Sequence, residues 1–337
     1  MKKLSLLACA ASLAALPLSA QDTKKPFPAP GEIVAAAKAE EWVAIAPSDL
    51  LVMDLAPDAK GKPRRVVIQL MPAPFSQGWV GNIRKLAAAR FWDGTSVNRV
   101  QDNYVVQWGD ATEKKALPEG LAVVPESGYE FTSAKASEEA VEAYRKLRIQ
   151  KSVNGLERII SNPPKNLADM RNTPVGDLDP YGPLSSFRSG WTIATDLNDK
   201  TWPTHCYGVV GVGRNLSPDT GTGAELYTVI GHAPRHLDRN IALVGRVIEG
   251  MEHLSSLPRG TGALGFYESE AERTPIASVR IGNEAKDVPA FEYLSTESTS
   301  FAAYADARAN RRDPFFNVPA GGADICNIPV PVRRKAK

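Results

Sequence analysis

Cysteine is scarce, three in 337 residues at positions 9, 206 and 326, too few for a disulfide-built scaffold. Histidine numbers four. His232 and His236 have a metal-like spacing, but Pro234 between them opposes a helix and no carboxylate or cysteine completes a ligand set. No metal and no cofactor is therefore expected. Neither sign of charge is in excess, with Lys+Arg at 40 and Asp+Glu at 38. Residues 1–20 hold two of the lysines and no acids, so the remainder balances at zero. A neutral chain has no overall field to gather nucleic acid or acidic lipid, and neither is expected as a partner. Beyond residue 18 there is no apolar run long enough to span a bilayer. Missing too are G-x-S-x-G, G-x-x-x-x-G-K-[ST] and H-E-x-x-H. Gly208-Val-Val-Gly-Val-Gly is glycine-rich, but a dinucleotide fingerprint starting at Gly211 would carry Leu216 where its third glycine belongs. The usual serine-hydrolase, P-loop, metalloprotease and dinucleotide-binding chemistries thus lose their signatures.

What is present begins with a targeting pattern. Lys2 and Lys3 precede an apolar run from Leu4 to Leu18, which ends in Ser19-Ala20. A charged start, an apolar middle and a small exit residue describe a secretory signal peptide, so residues 1–20 are expected to be removed and the chain exported, into a periplasm. A retained anchor is the weaker reading, because the run is short and alanine-rich for a membrane span. Export would place Cys206 and Cys326 where disulfides persist. Spacing leaves two outcomes open, a bridge tying the C-terminal tail to the main body or two separate thiols.

Residues 21–48 read as a Pro- and Lys-rich linker followed by a short helix from Gly31 to Trp42. Leu50–Leu55 and Arg65–Met71 form a predicted hairpin; Val66, Ile68 and Leu70 fall on one face at the two-residue period of a strand. Trp79, Ile83 and Leu86 recur at helical spacing. Short strands are predicted at Val97–Val100, Tyr104–Trp108, Gly208–Gly213, Leu226–Ile230, Ile241–Ile248 and Ile276–Ile281. Between them, residues 111–205 change texture: a helix is predicted from Ser137, Asn162-Pro163-Pro164 stops it, and 165–190 read as loop. Many short strands with few helices point to a mainly β sandwich or barrel. Residues 283–337 read as a polar C-terminal extension, and its part from Arg308 to Lys337, where Lys and Arg outnumber acids, as solvated.

A specific set of blocks sharpens this. Phe91-Trp-Asp-Gly-Thr-Ser-Val-Asn-Arg-Val and Tyr104-Val-Val-Gln-Trp-Gly-Asp110 resemble the cyclophilin signature F-Y-D-G-T-x-F-H-R-V followed by F-M-x-Q-G-G-D. Gly208-Val-Val-Gly-Val-Gly-Arg resembles G-x-x-S-M-A-N/R, and Thr222-Gly-Ala-Glu-Leu-Tyr-Thr-Val resembles G-S-Q-F-F-I. His236-Leu-Asp and Val244-Gly-Arg-Val-Ile-Glu-Gly-Met resemble W/H-L-D-G and F-G-x-V-x-x-G-M. The blocks run in the family's order over residues 49–110 and about 206–282.

The resemblance implies an eight-stranded antiparallel β-barrel capped by two helices at 49–282, interrupted by an insertion at 111–205 that we expect to be helical. It implies peptidyl-prolyl cis–trans isomerase activity on proline-containing polypeptides. By the same resemblance Arg99 matches the catalytic arginine, and Gln107 the glutamine that holds the arginine or a substrate carbonyl. Tyr104, Val105, Tyr227 and Leu237 match the apolar pocket for the proline ring, with Gly213, His236 and Ile241 at substrate-contacting positions. Ile241 stands where many members have histidine, Val105 shortens a methionine, Glu225 replaces glutamine and Gly213 replaces alanine. Those departures support a second reading, a non-catalytic proline-peptide binder or chaperone on the same barrel.

Overall fold

A computed structural model describes residues 27–132, 179, 181–182, 184–196, 199–320 and 322–335. The expected signal segment and the helix expected from Ser137 lie outside the described residues. The predicted hairpin forms from β2 (Leu50–Leu55) and β3 (Arg64–Leu70), paired antiparallel from Leu50 opposite Gln69 to Leu55 opposite Arg64. Val66, Ile68 and Leu70 face the main core, and Val67 between them packs in a separate cluster with Ile45, Leu50 and Phe291. Both faces of the strand are buried, so β-branched residues occupy both.

This hairpin is part of a closed barrel. With β4 (Ser96–Val100), β5 (Val105–Gly109), β10 (Val209–Val212), β11 (Leu226–Val229), β12 (Leu243–Glu249) and β13 (Thr274–Ile281), the strand order is β10-β11-β5-β4-β13-β2-β3-β12. Every neighbouring pair is antiparallel, and closure leaves no open sheet edge. Two helices supply apolar faces to the barrel core. Helix α2 (Gln77–Ala88) brings Trp79, Ile83 and Leu86, all fully buried, and the short α3 (Glu252–Ser255) brings Leu254. The Trp79 indole Nε1–H donates to the carbonyls of Thr220 and Gly221 at 3.1 and 3.0 Å, which fixes the helix against the loop before β11.

Where it is described, the insertion holds one short 3-10 turn, Glu126–Tyr129, and a sheet that the sequence did not announce. Strands β6 (Phe131–Thr132), β7 (Leu184–Arg188), β8 (Trp191–Thr195) and β9 (Lys200–Pro203) form this four-stranded sheet in the order β6-β9-β8-β7. The hairpin of β7 and β8 turns through Ser189 and Gly190, both at positive φ. Ser-Gly is a weak turn signal within a run already rich in loop formers, which is why 165–190 reads as coil from residue order.

The C-terminal segment likewise departs from the expectation of a solvated tail. Strand β14 (Phe291–Leu294) pairs on one side with β1 (Trp42–Ile45) and on the other with β15 (Val332–Arg334). Helix α4 (Thr299–Ala309) buries Phe301 and Tyr304 in a second core with Trp42, Leu294 and Ile328, and Ile33 and Val34 of α1 (Pro30–Ala36) pack against it. The N-terminal segment is thus half of a small module, not merely a linker. Several tail cations are paired within the chain, Arg333 with Glu292 and Arg334 with Glu249, and Arg333 also lies 3.7 Å over the Trp42 ring. Cys206, three residues before β10, is disulfide-bonded to Cys326 in the turn Ile325–Asn327, so the module is tied covalently to the barrel.

Glu41 links the two halves of this module. Its carboxylate accepts from the Ser300 hydroxyl at 2.7 Å, the Ser300 backbone N–H at 3.0 Å, Lys38 N–H at 3.0 Å and the Thr299 hydroxyl at 3.1 Å. It therefore caps the first turn of α4 from 259 residues away. These bonds, the Ser300 hydroxyl first, lower its pKa from 4.5 to about 2. The folded form favours the carboxylate, so the contribution is complete above pH 4.5 and is lost as pH falls toward 2. Glu41→Gln is expected to flatten the acid limb of the thermal-stability profile over that window. An unchanged limb in calorimetric scans would remove Glu41 as its source.

Candidate active site

A cleft of about 600 Å³ opens on the outer face of the barrel, across β4, β5, β10 and β11. Local backbone irregularity places the key side chains. Val97 pairs with Trp108 but Arg99 with Gln107, so Asn98 is an extra residue, a bulge in β4. The bulge re-aims the strand, and successive residues Asn98 and Arg99 both line the cleft where regular alternation would send them apart. The half-buried Arg99 guanidinium is held on three sides. Nε donates to the Leu264 carbonyl at 2.7 Å, one terminal nitrogen to Gln107 Oε1 at 3.0 Å, and the other to Gln101 Oε1. Its Cζ lies 5.8 Å from the Tyr104 ring centroid and 5.2 Å from that of Phe266. Burial pulls the Arg99 pKa below its ordinary value, with Tyr104 and Glu225 opposing. At neutral pH a guanidinium so placed keeps its charge.

Beside this cation is an apolar slot. Val105, Tyr227, Leu237 and Ile241 line it with the Tyr104 ring. Tyr227 is almost fully buried, and its register opposite Gly211 and Gln107 lays the ring along the sheet. A Cβ at residue 211 would come within 2.3 Å of the Tyr227 hydroxyl, so glycine there is what lets the ring lie down. Burial raises the phenol pKa of both Tyr104 and Tyr227, so both are neutral. The Tyr227 hydroxyl meets His205 Nε2 at 2.9 Å, and the two rings stack with 9° between their planes. Glu225 reaches the other end of the cleft, where Gly213 leaves room: a Cβ at 213 would sit 3.0 Å from Glu225 Cγ.

Eight of the nine residues assigned by resemblance, namely Arg99, Gln107, Tyr104, Val105, Gly213, Tyr227, Leu237 and Ile241, line this single cleft. His236 does not: it is exposed, on the far side of the turn Arg235–Leu237 from its lining, and its backbone carbonyl accepts from Asn240. The reason is local: Arg235 and Asp238 take the buried positions of that turn. Besides Gln101, two contributors were not read from the sequence. The loop 258–267 brings Leu264, Phe266 and Tyr267 to the cleft and is bonded to β4 through Tyr267 N–H to Asn98 O and Gly260 N–H to Val100 O. Its glycines at 260, 262 and 265 mark a loop but not its direction. His205 was the other, an isolated histidine with no motif around it. Among the described residues no group of three or more His, Cys, Asp or Glu could hold a metal, and no helix is long and apolar enough to cross a membrane.

The family model described as "Cyclophilin type peptidyl-prolyl cis-trans isomerase/CLD" matches residues 62–283, well over half of the chain. No curated protein matches. Among solved structures, the cyclophilin AquaCyp293 from Hirschia baltica is similar at 20% identity and a TM-score of 0.58, covering 89% of this chain and 99% of its own. A Cryptosporidium parvum cyclophilin type peptidyl-prolyl cis-trans isomerase, solved in the presence of the dipeptide Ala-Pro, overlaps 68% of this chain and 98% of its own. At 10% identity and a TM-score of 0.35 that second likeness carries no weight. The first shows a shared fold that continues past the matched segment, and the family model supplies the kinship: the chain belongs to the cyclophilin type peptidyl-prolyl cis–trans isomerases.

Proposed function

We propose that this protein accelerates rotation about X–Pro bonds in polypeptides exported from the cytoplasm, with Arg99 stabilising the twisted amide. One observation carries the reading: a cation fixed by Leu264, Gln101 and Gln107 stands at the rim of an apolar slot lined by Val105, Tyr227, Leu237 and Ile241. Amide resonance sets a barrier of about 18–20 kcal/mol. In the twisted transition state resonance is lost and the proline nitrogen recovers a lone pair, which a guanidinium N–H can bind. Because neither planar isomer offers that lone pair, the interaction is strongest at the barrier and lowers it. The slot holds the proline ring still while the preceding carbonyl turns. Gln107 uses its carbonyl oxygen on Arg99, and no described residue accepts from its NH₂, which leaves that donor for a peptide carbonyl. No proton is transferred and no covalent bond is made or broken.

Export rests on the charged and apolar start of the chain and is supported by the Cys206–Cys326 bridge, since disulfides persist in oxidising compartments. There, uncatalysed X–Pro isomerisation takes tens to hundreds of seconds and limits folding.

The chain lacking residues 1–20 is expected to accelerate isomerisation of a short Xaa-Pro peptide in a protease-coupled assay. The binder reading is favoured by Ile241 and Val105 at the slot. It would be upheld by a protein that slows aggregation of unfolded clients and binds the peptide yet leaves its isomerisation at the solvent rate.

A further inference from the structure

At the floor of the proline slot a chain of buried polar groups runs inward from Tyr227. The hydroxyl meets His205 Nε2 at 2.9 Å, His205 Nδ1 meets Asp238 Oδ1 at 2.8 Å, and Asp238 Oδ2 accepts from Arg235 Nε at 2.6 Å. Arg235 then donates from a terminal nitrogen to Asp179 Oδ2 at 2.9 Å. The side chains of His205, Asp238 and Arg235 are 1–3% exposed. Isolated polar groups at that depth are costly unless each bond is made, and a Phe at 227 would have filled the slot with none of them. His205 is also the last residue of the insertion, and Asp179 lies within it, so the relay joins the insertion to the slot.

The relay dictates protonation. The imidazole nitrogen facing the carboxylate carries the proton, and Nε2 is left as an acceptor for the Tyr227 O–H. Full burial keeps the His205 pKa below its ordinary value, although Asp238 opposes it. Gly211 beneath the ring offers no side chain to hold it, and a Cβ there would meet the hydroxyl itself. The ring is therefore anchored through its oxygen.

We propose that His205 is a positioning residue: through the Tyr227 hydroxyl it fixes the aromatic wall of the proline slot, and Asp238 fixes His205. This rests on the isomerase reading for its kinetic consequence, but not for its effect on peptide affinity. The slot grips the ring in planar and twisted states alike, so loosening it weakens binding uniformly. KM for the Xaa-Pro peptide then rises while kcat stays near the wild-type value.

The test uses Tyr227→Phe, His205→Asn, His205→Gln and the double variant Tyr227→Phe/His205→Asn, each measured for kcat, KM, peptide Kd by NMR titration, and Tm. An Asn amide reaches the Nδ1 position and retains the Asp238 contact but not the tyrosine. A Gln amide reaches the Nε2 position and presents an acceptor to the hydroxyl. Tyr227→Phe and His205→Asn are each expected to raise KM and Kd about 5–10-fold, corresponding to the net worth of one buried hydrogen bond. The double variant should be no worse than either single one, and His205→Gln should recover most of the loss. Equal effects of Asn and Gln, in proportion to Tm, would make His205 merely structural and overturn the proposal. So would additive losses in the double variant, or unchanged KM and Kd in a folded Tyr227→Phe. A wild type that binds the peptide but does not turn it over defeats the isomerase reading alone, with Kd still deciding this one. A wild type that neither binds nor turns over defeats both.

Discussion

Arg99→Ala should lower kcat for a short Xaa-Pro peptide by about 100-fold or more, the usual cost of removing one preorganised donor aimed at a transition state, while peptide affinity changes little. The split follows from where the guanidinium acts. It touches the wall formed by Tyr104 and Phe266 and is bonded to the Leu264 carbonyl and Gln107, so it lines the slot's rim and leaves the ring-binding surface intact when removed. Arg99→Lys should fare little better, because an ammonium cannot span Leu264, Gln101 and Gln107 at once and so loses its fixed direction. Stopped protease-coupled kinetics paired with NMR titration of the same peptide measures both quantities. Equal losses in kcat/KM and in affinity, with kcat preserved, would place Arg99 in ground-state binding and remove the twisted-amide role. The pattern is the opposite of that expected for Tyr227 and His205, where KM carries the change.

Asp238→Ala is expected to produce the largest loss of stability among single polar substitutions, about 3–5 kcal/mol, as when one partner of a buried ion pair is taken away. Its carboxylate receives the His205 backbone N–H and Nδ1, both at 2.8 Å, and Arg235 Nε at 2.6 Å. Without it, a guanidinium with 2% side-chain exposure keeps Asp179 as its one carboxylate, beside the Tyr181 ring, and the imidazole loses the partner that sets its tautomer. In a chain of this size the melting temperature should fall by on the order of 10 °C. Calorimetry on the variant checks this, and a drop of a degree or two would mean that water or repacking satisfies the orphaned groups. Replacing the exposed neighbour His236 by alanine serves as the control, since its side chain lines neither the cleft nor this relay.

How much of this was legible beforehand varies with the kind of contact. Val66, Ile68 and Leu70 declare a strand through their two-residue period, and Trp79, Ile83 and Leu86 declare a helix face, because backbone geometry imposes those spacings directly on the order of residues. Arg99, Tyr104 and Gln107 lie within one hairpin, so a short motif suffices to read them as a unit. Glu41 capping a helix at Ser300 leaves no such trace, nor does Trp42 packing on Phe301 and Ile328. The apolar residues of 283–337 are spread thinly among charges and lack a partner surface until α1 and β1 arrive from the other end of the chain. Without that other half, the stretch reads as a solvated tail. Strands β7, β8 and β9, four or five residues each, belong to no motif and begin inside a stretch that reads as loop, while the helix expected from Ser137 lies outside the described residues.

Residue order thus showed the strand and helix faces through their spacing, and its motifs, by resemblance, pointed to the barrel and to Arg99, all of them patterns within a few tens of residues. Folding decided which distant neighbours meet. Phe266 comes to Arg99 from 167 positions away, and Glu41 reaches Ser300 across 259. The Cys206–Cys326 bond closes a span of 120 residues. Contacts at such separations are fixed by packing and burial in three dimensions, and no local pattern has to change for them to form.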